Sequence, residues 1–336
     1  MGASKSLLTR RECLPLLAYA AAFPSLRTAA TQTSNRPMRG AFMILSTPYN
    51  RQGEVDWEDL AREAAFVDRC GCQGMVWPQG SSGLANLTKE ERMRGMEVLA
   101  KTMRGKKAVL GLGVQGKDTV EMLEYAGHAE QLGPDAMIAM PPSSGTSVNQ
   151  YREYFRALAG VTKRPVILQT NGGGRDLPLP VELIVELAGE FSHLAYIKEE
   201  SAPILERMRA ELLHRPPIRG IFGANFAQGW LYEMRLGLDG VVTGNAMYAD
   251  LMARIWSLHE AGKQEELRDA YSRFLLMRNL SQQIPDADLY IMKKRNIFKT
   301  TANRKGHESQ LTTAETEEIE YRFEALRSYL SVDPAY

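Results

Sequence analysis

The sequence carries no excess of charge of either sign, since 41 lysines and arginines stand against 40 aspartates and glutamates. A nucleic-acid partner, which normally shows as a strong basic excess, is therefore not expected. No uninterrupted apolar run approaches the roughly 20 residues of a membrane span. Cysteine is scarce, with three in 336 residues. Cys70 and Cys72 are two apart, a spacing that seldom reaches disulfide geometry, and they read as packing residues near a helix end. The five histidines show no metal-ligand spacing and no carboxylate cluster joins them, so neither a metal nor another cofactor is expected. What is left is an ordinary globular composition on a chain long enough to bury a large core.

The N-terminus differs from the rest. Arg10 and Arg11 precede a short, Ala-rich apolar run from Leu14 to Phe23, followed by the small residues Thr28, Ala29 and Ala30. A basic start, a short apolar middle and a small-residue exit form the layout of a secretory signal. The Thr-Arg-Arg start is similar to a twin-arginine export signal. Residues 1–30 are expected to be this signal and 31–38 a polar linker, which makes the protein exported and periplasmic; a short buried helix in a cytoplasmic chain is the alternative.

From Phe42 onward a rhythm sets in. Eight short apolar runs, beginning with "FMILST" and ending with "DGVVTG" (239–244), are each followed by an amphipathic stretch, at spacings of about 20–35 residues. Strands buried on both faces of an all-parallel sheet look like this. Thr88 with Glu91 three residues on forms a capping-box pattern that opens a helix. Eight strand–helix units predict an α/β fold, a (β/α)8 TIM barrel over residues 39–262. A doubly wound open sheet would usually carry a glycine-rich phosphate loop after its first strand, and "PYNRQGEVD" is not one. Beyond Gly262 the strand rhythm stops, and residues 263–336 read as a C-terminal helical region.

In such a barrel the C-terminal ends of the strands line the site. That singles out Thr47, Ser81 and Ser82, Ser143 and Ser144, Gln169 to Asn171, Lys198, Gly223 to Asn225 and Thr243. In "LAYIK" (194–198), Leu194, Tyr196 and Lys198 share one face, while Ala195 and Ile197 suit helix packing on the other. Lys198 is then either a partly desolvated amine at the barrel mouth, able to attack a carbonyl, or a rim lysine paired with Glu199 or Glu200. "GSSG" (80–83) offers two hydroxyls and exposed N–H groups to a carboxylate. "NGGGR" (171–175) lacks a Walker lysine and reads as a flexible loop rather than a phosphate site.

The order and spacing of these segments carry a resemblance. "STPYNRQGEVDWEDL", "GSSGLANLTKEER", "GLGVQGKDTVEMLEYAGHAEQLGPDAMIAMPP" and "YIKEES" are together similar to the dihydrodipicolinate synthase/N-acetylneuraminate lyase family of class I aldolases, from about Arg39 to Phe298. The resemblance implies a lyase or aldolase acting on pyruvate, a related 2-oxo acid or a sugar acid, in a homo-oligomer, a dimer or tetramer. It implies that Lys198 forms the imine and that Ser81 and Ser82 hold the substrate carboxylate. Gly223 and Val242 would line the pocket near the imine, with Thr47 and Gln169 as further substrate-binding residues.

The departures are as informative. The family usually carries a tyrosine after strand four, whose hydroxyl relays protons. Here the stretch reads "MPPSSG", and Ser144 is expected to act in its place through a water. Tyr49 or Tyr196 would be the other donors, although Tyr196 also suits filling the barrel interior. Export fits poorly with lysine biosynthesis and better with cleavage of a sugar acid or an aromatic side chain. The alternative is a barrel that has lost its relay and binds a small oxo acid or sugar acid without turnover.

Overall fold

The computed structural model describes residues 36–331 except Asp176 and Asn245. The export signal expected over residues 1–30 lies outside the described residues, as does most of the linker after it.

Eight parallel strands close into a barrel in sequence order: β1 (Gly40–Ile44), β2 (Gly74–Trp77), β3 (Val109–Gly113), β4 (Ala136–Ala139), β5 (Val166–Gln169), β6 (Tyr196–Lys198), β7 (Gly220–Gly223) and β8 (Gly240–Thr243). Closure comes from β1 pairing with β8, with Gly40 opposite Gly240. The (β/α)8 barrel expected from the strand–helix rhythm is the fold observed. The outer ring is formed by α1 (Trp57–Arg69), α2 (Lys89–Thr102), α3 (Thr119–Leu132), α4 (Val148–Val161), α5 (Val181–Glu190), α6 (Ile204–Leu212), α7 (Trp230–Leu236) and α8 (Ala249–Glu260). The helix starts have local causes. Asp56 accepts from the Glu58 and Asp59 N–H groups. At α2 the Glu91 N–H donates to Thr88 Oγ1 while the Thr88 N–H donates to Glu91 Oε2. Such caps stabilise a helix by about 1 kcal/mol each.

Two apolar clusters follow from strand alternation. Outward residues such as Ala195, Ile197 and Ile221 meet the helices, while Phe42, Val76, Ile138, Ile167 and Phe222 fill the barrel interior with Tyr196 packed against them. Large rings fit inside because facing positions are small. A Cβ at Gly74 would lie 2.3 Å from the Phe42 ring, and one at Gly220 would lie 2.7 Å from the Tyr196 ring. Phe42 and Phe222 meet edge to face at 5.2 Å. This interior is a packed floor, so any site must sit above it.

The tail supplies α9 (Gln264–Gln283), α10 (Ala287–Lys294) and α11 (Thr313–Glu324). The middle helix ends at Lys294, where Arg295 caps it and turns inward to the buried Asp250. The following Asn296 takes a left-handed φ of 53°. Among the described residues no helix is long and apolar enough to cross a membrane.

Candidate active site

A cavity of about 470 Å³ opens over the C-terminal ends of the strands. Lys198, the last residue of β6, lines it and is 4% exposed. Its Nζ stands 2.7 Å from Glu200 Oε2. Burial pulls the amine below its usual pKa of 10.5, and the Glu200 carboxylate opposes that shift only in part. Both readings of this lysine thus hold something true: it is paired with a glutamate, yet the pair lies in the cavity and not on the rim.

The two glutamates after Lys198 separate because the alternation of β6 continues past its end. Glu199 points the way Ile197 does, away from the cavity. It accepts from Thr170 Oγ1 at 2.6 Å, from the Ser201 N–H at 2.7 Å and from Arg207 Nε at 3.0 Å. Burial first, and then the neighbouring Glu199 carboxylate, push buried Glu211 well above the usual carboxylate range. Glu200 points the way Lys198 does. Its N–H donates to Thr170 Oγ1 at 3.0 Å, and its Oε1 accepts from Gln169 Nε2 at 3.0 Å. One carboxylate oxygen is therefore held by β5 and the other faces the amine.

Of the other residues expected from sequence, Ser81, Gln169 and Val242 line the same cavity. Gln169 is already engaged through its amide nitrogen with Glu200 and Asn171, while its buried Oε1 has no hydrogen-bond partner. Seven expected residues, Thr47, Ser82, Ser143, Ser144, Thr170, Gly223 and Ala224, are not brought to the cavity lining. Ser82 is buried, and its hydroxyl is consumed by donating to Leu45 O at 2.6 Å and accepting from the Gln79 N–H at 3.0 Å. The 3-10 turn Gly80–Ser82 carries Ser81 to the cavity lining and leaves Ser82 buried. Thr47 Oγ1 accepts from Trp77 Nε1 at 3.1 Å. Gly223 turns its Cα hydrogen toward Glu233, whose Oε2 would lie 1.8 Å from an added Cβ. Ser144, expected as the relay, is exposed and donates to Lys117 O at 2.6 Å.

The substitute donors are absent from the lining as well. Tyr49 lies beside Arg304, whose guanidinium sits 5.4 Å from the ring centroid. Tyr196 belongs to the barrel floor below Lys198. Above strand four the cavity is lined by Met140, a side chain with no proton to relay. The loop "NGGGR", expected to be flexible, is tied at Gly174, whose N–H donates to the Tyr151 hydroxyl at 2.7 Å.

Asn171, Asn225 and Thr243, expected from the strand ends, also line the cavity and present polar groups. Ile44, Met140, Ile204 and Phe226, which strand-end reasoning does not single out, form apolar walls. Asn225, Phe226 and Ala227 all take left-handed φ angles, 47°, 51° and 62°. Each such non-glycine residue costs on the order of 1–3 kcal/mol and persists only where its surroundings hold it. The tail holds it here. Arg278 of α9 stacks on the Phe226 ring at 4.4 Å, and the Tyr271 hydroxyl donates toward Ala227 O and Gln228 O. The thiols of Cys70 and Cys72 are buried elsewhere, and burial pushes Cys70 up to about 12, which leaves it inert.

Comparison with known proteins bears on this geometry. Residues 37–291 match the family described as the dihydrodipicolinate synthetase family. A 4-hydroxy-tetrahydrodipicolinate synthase of Chlorobaculum parvum is 28% identical over 241 residues, 70% of this chain and 79% of the relative. An uncharacterized DapA-like lyase of Thermococcus onnurineus is 26% identical, over 70% of this chain and 79% of its own. Among solved structures, a dihydrodipicolinate synthase from Rhodopseudomonas palustris superposes with a TM-score of 0.72 at 24% identity, covering 86% of this chain and 97% of that one. CdNal from Clostridium difficile, solved with mannosamine, gives 0.71 at 18% identity, covering 88% and 100%.

Proposed function

The chain belongs to the dihydrodipicolinate synthetase family, and from that premise we propose that it is a Schiff-base lyase or aldolase for pyruvate, a related 2-oxo acid or a sugar acid. The observation that carries this reading is Lys198, a buried amine of lowered basicity facing an open cavity. Its neutral form attacks the ketone carbon and, after loss of water, becomes the imine that draws electrons from the neighbouring carbon–carbon bond. Ser81 and the Gly80 backbone hold the substrate carboxylate. Val242 and Ile44 enclose the apolar side of the imine. Gln169 Oε1, Asn171, Asn225 and Thr243 surround the rest of the molecule with neutral hydrogen-bonding groups, which suits hydroxyl-bearing substrates.

Incubation with pyruvate followed by borohydride reduction is expected to add the reduced pyruvyl mass to Lys198. Absence of an adduct with every 2-oxo acid tried overturns the reading. The initial trapping rate should rise with pH, because attack needs the neutral amine. It should level off below the ordinary lysine value of 10.5, because burial disfavours the ammonium and releases its proton earlier.

No tyrosine stands among the described residues that line the cavity, and this favours the second reading, in which the barrel binds an oxo acid or sugar acid without turnover. An adduct on Lys198 with no cleavage of any sugar acid in a panel supports that alternative. Export is part of the proposal too, supported by Arg10 and Arg11 before the apolar run. A mature N-terminus beyond residue 30 in a periplasmic fraction is the expected result, and a chain retained whole in the cytoplasm overturns it.

A further inference from the structure

We infer that Glu200 is the proton relay of this site, a carboxylate in the role for which the described cavity lining holds no tyrosine. The inference rests on the Schiff-base reading of Lys198. Among the described residues lining the cavity, Lys198 and Glu200 are the two that titrate. They touch, with Nζ and Oε2 2.7 Å apart, and Glu200 is held from behind by Thr170 Oγ1 at its N–H and by Gln169 Nε2 at Oε1. Ser144, Tyr49 and Tyr196 lie elsewhere. Glu200 is thus the one ionisable group in position to exchange protons with the reacting nitrogen, and it is fixed for that by two separate anchors on β5 and the residue after it.

The proton steps balance without another reactant. In the resting pair the Lys198 ammonium passes a proton to the Glu200 carboxylate. The neutral amine bonds to the ketone carbon, and the oxygen takes the electron pair of the broken C–O π bond. Glu200 gives its proton to that oxygen and removes one from the attached nitrogen, which leaves a neutral carbinolamine. It then returns this proton to the hydroxyl, the C–O bond breaks, and water leaves as the C=N bond forms. The site ends as a protonated imine beside a carboxylate, with the net charge it began with.

An ion pair of purely structural purpose predicts the opposite kinetics. Such a pair holds Lys198 as an ammonium, so removing the carboxylate would free the amine and speed attack. A relay predicts that its removal slows attack, by the roughly 10²- to 10⁴-fold that positioned proton transfer contributes.

The test follows adduct mass at Lys198 over time, quenching with borohydride, with pyruvate as the probe at fixed pH. Glu200→Gln keeps the shape and the Gln169 contact but cannot carry the proton, and it should trap about 10²- to 10⁴-fold more slowly than the unaltered chain. Glu200→Ala opens room for a small carboxylate, so added formate should restore part of the rate where equal chloride does not. This second variant keeps the proposal testable if the amide disturbs folding. Trapping by Glu200→Gln at an equal or higher rate, or no response of Glu200→Ala to formate, overturns the relay while leaving the imine on Lys198 intact. An unaltered chain that never forms the adduct fails at the Schiff-base reading itself, and the relay falls with it.

Discussion

Lys198→Ala is expected to lower turnover by a factor on the order of 10⁶, about 8 kcal/mol of transition-state stabilisation, and to abolish the borohydride adduct. The size follows from what is removed. Among the described lining residues there is no second amine, so the covalent route is lost outright and is not merely slowed. Lys198→Arg should be equally inactive despite keeping the charge and the contact with Glu200, because a guanidinium does not give up its proton to become a nucleophile. That pair of variants separates the nucleophile from the ion pair: a structural role for the charge would be largely restored by arginine. The measurement is cleavage rate on any substrate that the unaltered chain turns over, together with intact mass after reduction. Retention of more than a small residue of activity in either variant would remove Lys198 from the chemistry.

Why Lys198 could be singled out in the sequence, and its partner could not, has a physical basis. The alternation of Tyr196, Ile197 and Lys198 places the lysine on the inner face, and that period needs only a strand to hold. Carrying the same period two residues further puts Glu200 inside and Glu199 outside, as the structure has them. The signal was present, but a strand usually ends where polar residues begin, and Glu200 read only as a counter-charge. Ser81 and Ser82 could not be told apart for a different reason. A 3-10 turn has no two-residue period, and one hydroxyl of the pair is spent on Leu45 O. Gly223 lies at the end of β7, yet the space beside it belongs to Glu233. The left-handed run at Asn225–Ala227 lay furthest from prediction, because the groups that hold it, Tyr271 and Arg278, come from a helix about fifty residues later. Local patterns gave the barrel and the floor of the site, while the walls depend on contacts between distant segments.

The same dependence on the tail sets the largest expected loss of stability. Arg295→Ala should destabilise the fold by about 3–5 kcal/mol, the effect of stripping one partner from a buried ion pair. Both side chains are fully buried, with Arg295 Nη2 2.6 Å from Asp250 Oδ2 and Nη1 2.9 Å from Oδ1. Nη1 also donates to Met247 O at 2.6 Å, and the guanidinium lies over the Phe66 ring at 4.8 Å. Asp250 in turn accepts from the Leu251 and Ser331 N–H groups at 3.1 Å. For a chain of this size the melting temperature should fall by roughly 4–7 °C, read by calorimetry. Pairing Arg295→Met with Asp250→Asn should be milder than the single change, since the stranded charge goes with its partner. A single-variant shift below about 1 °C, roughly 0.7 kcal/mol at this chain length, would mean that the pair contributes little. Asp250 lies in the first turn of α8, the helix that follows β8, whose Val242 and Thr243 line the cavity. Arg295 therefore fastens the tail to the helix that follows a cavity-lining strand, and melting of that joint should carry the cavity wall with it.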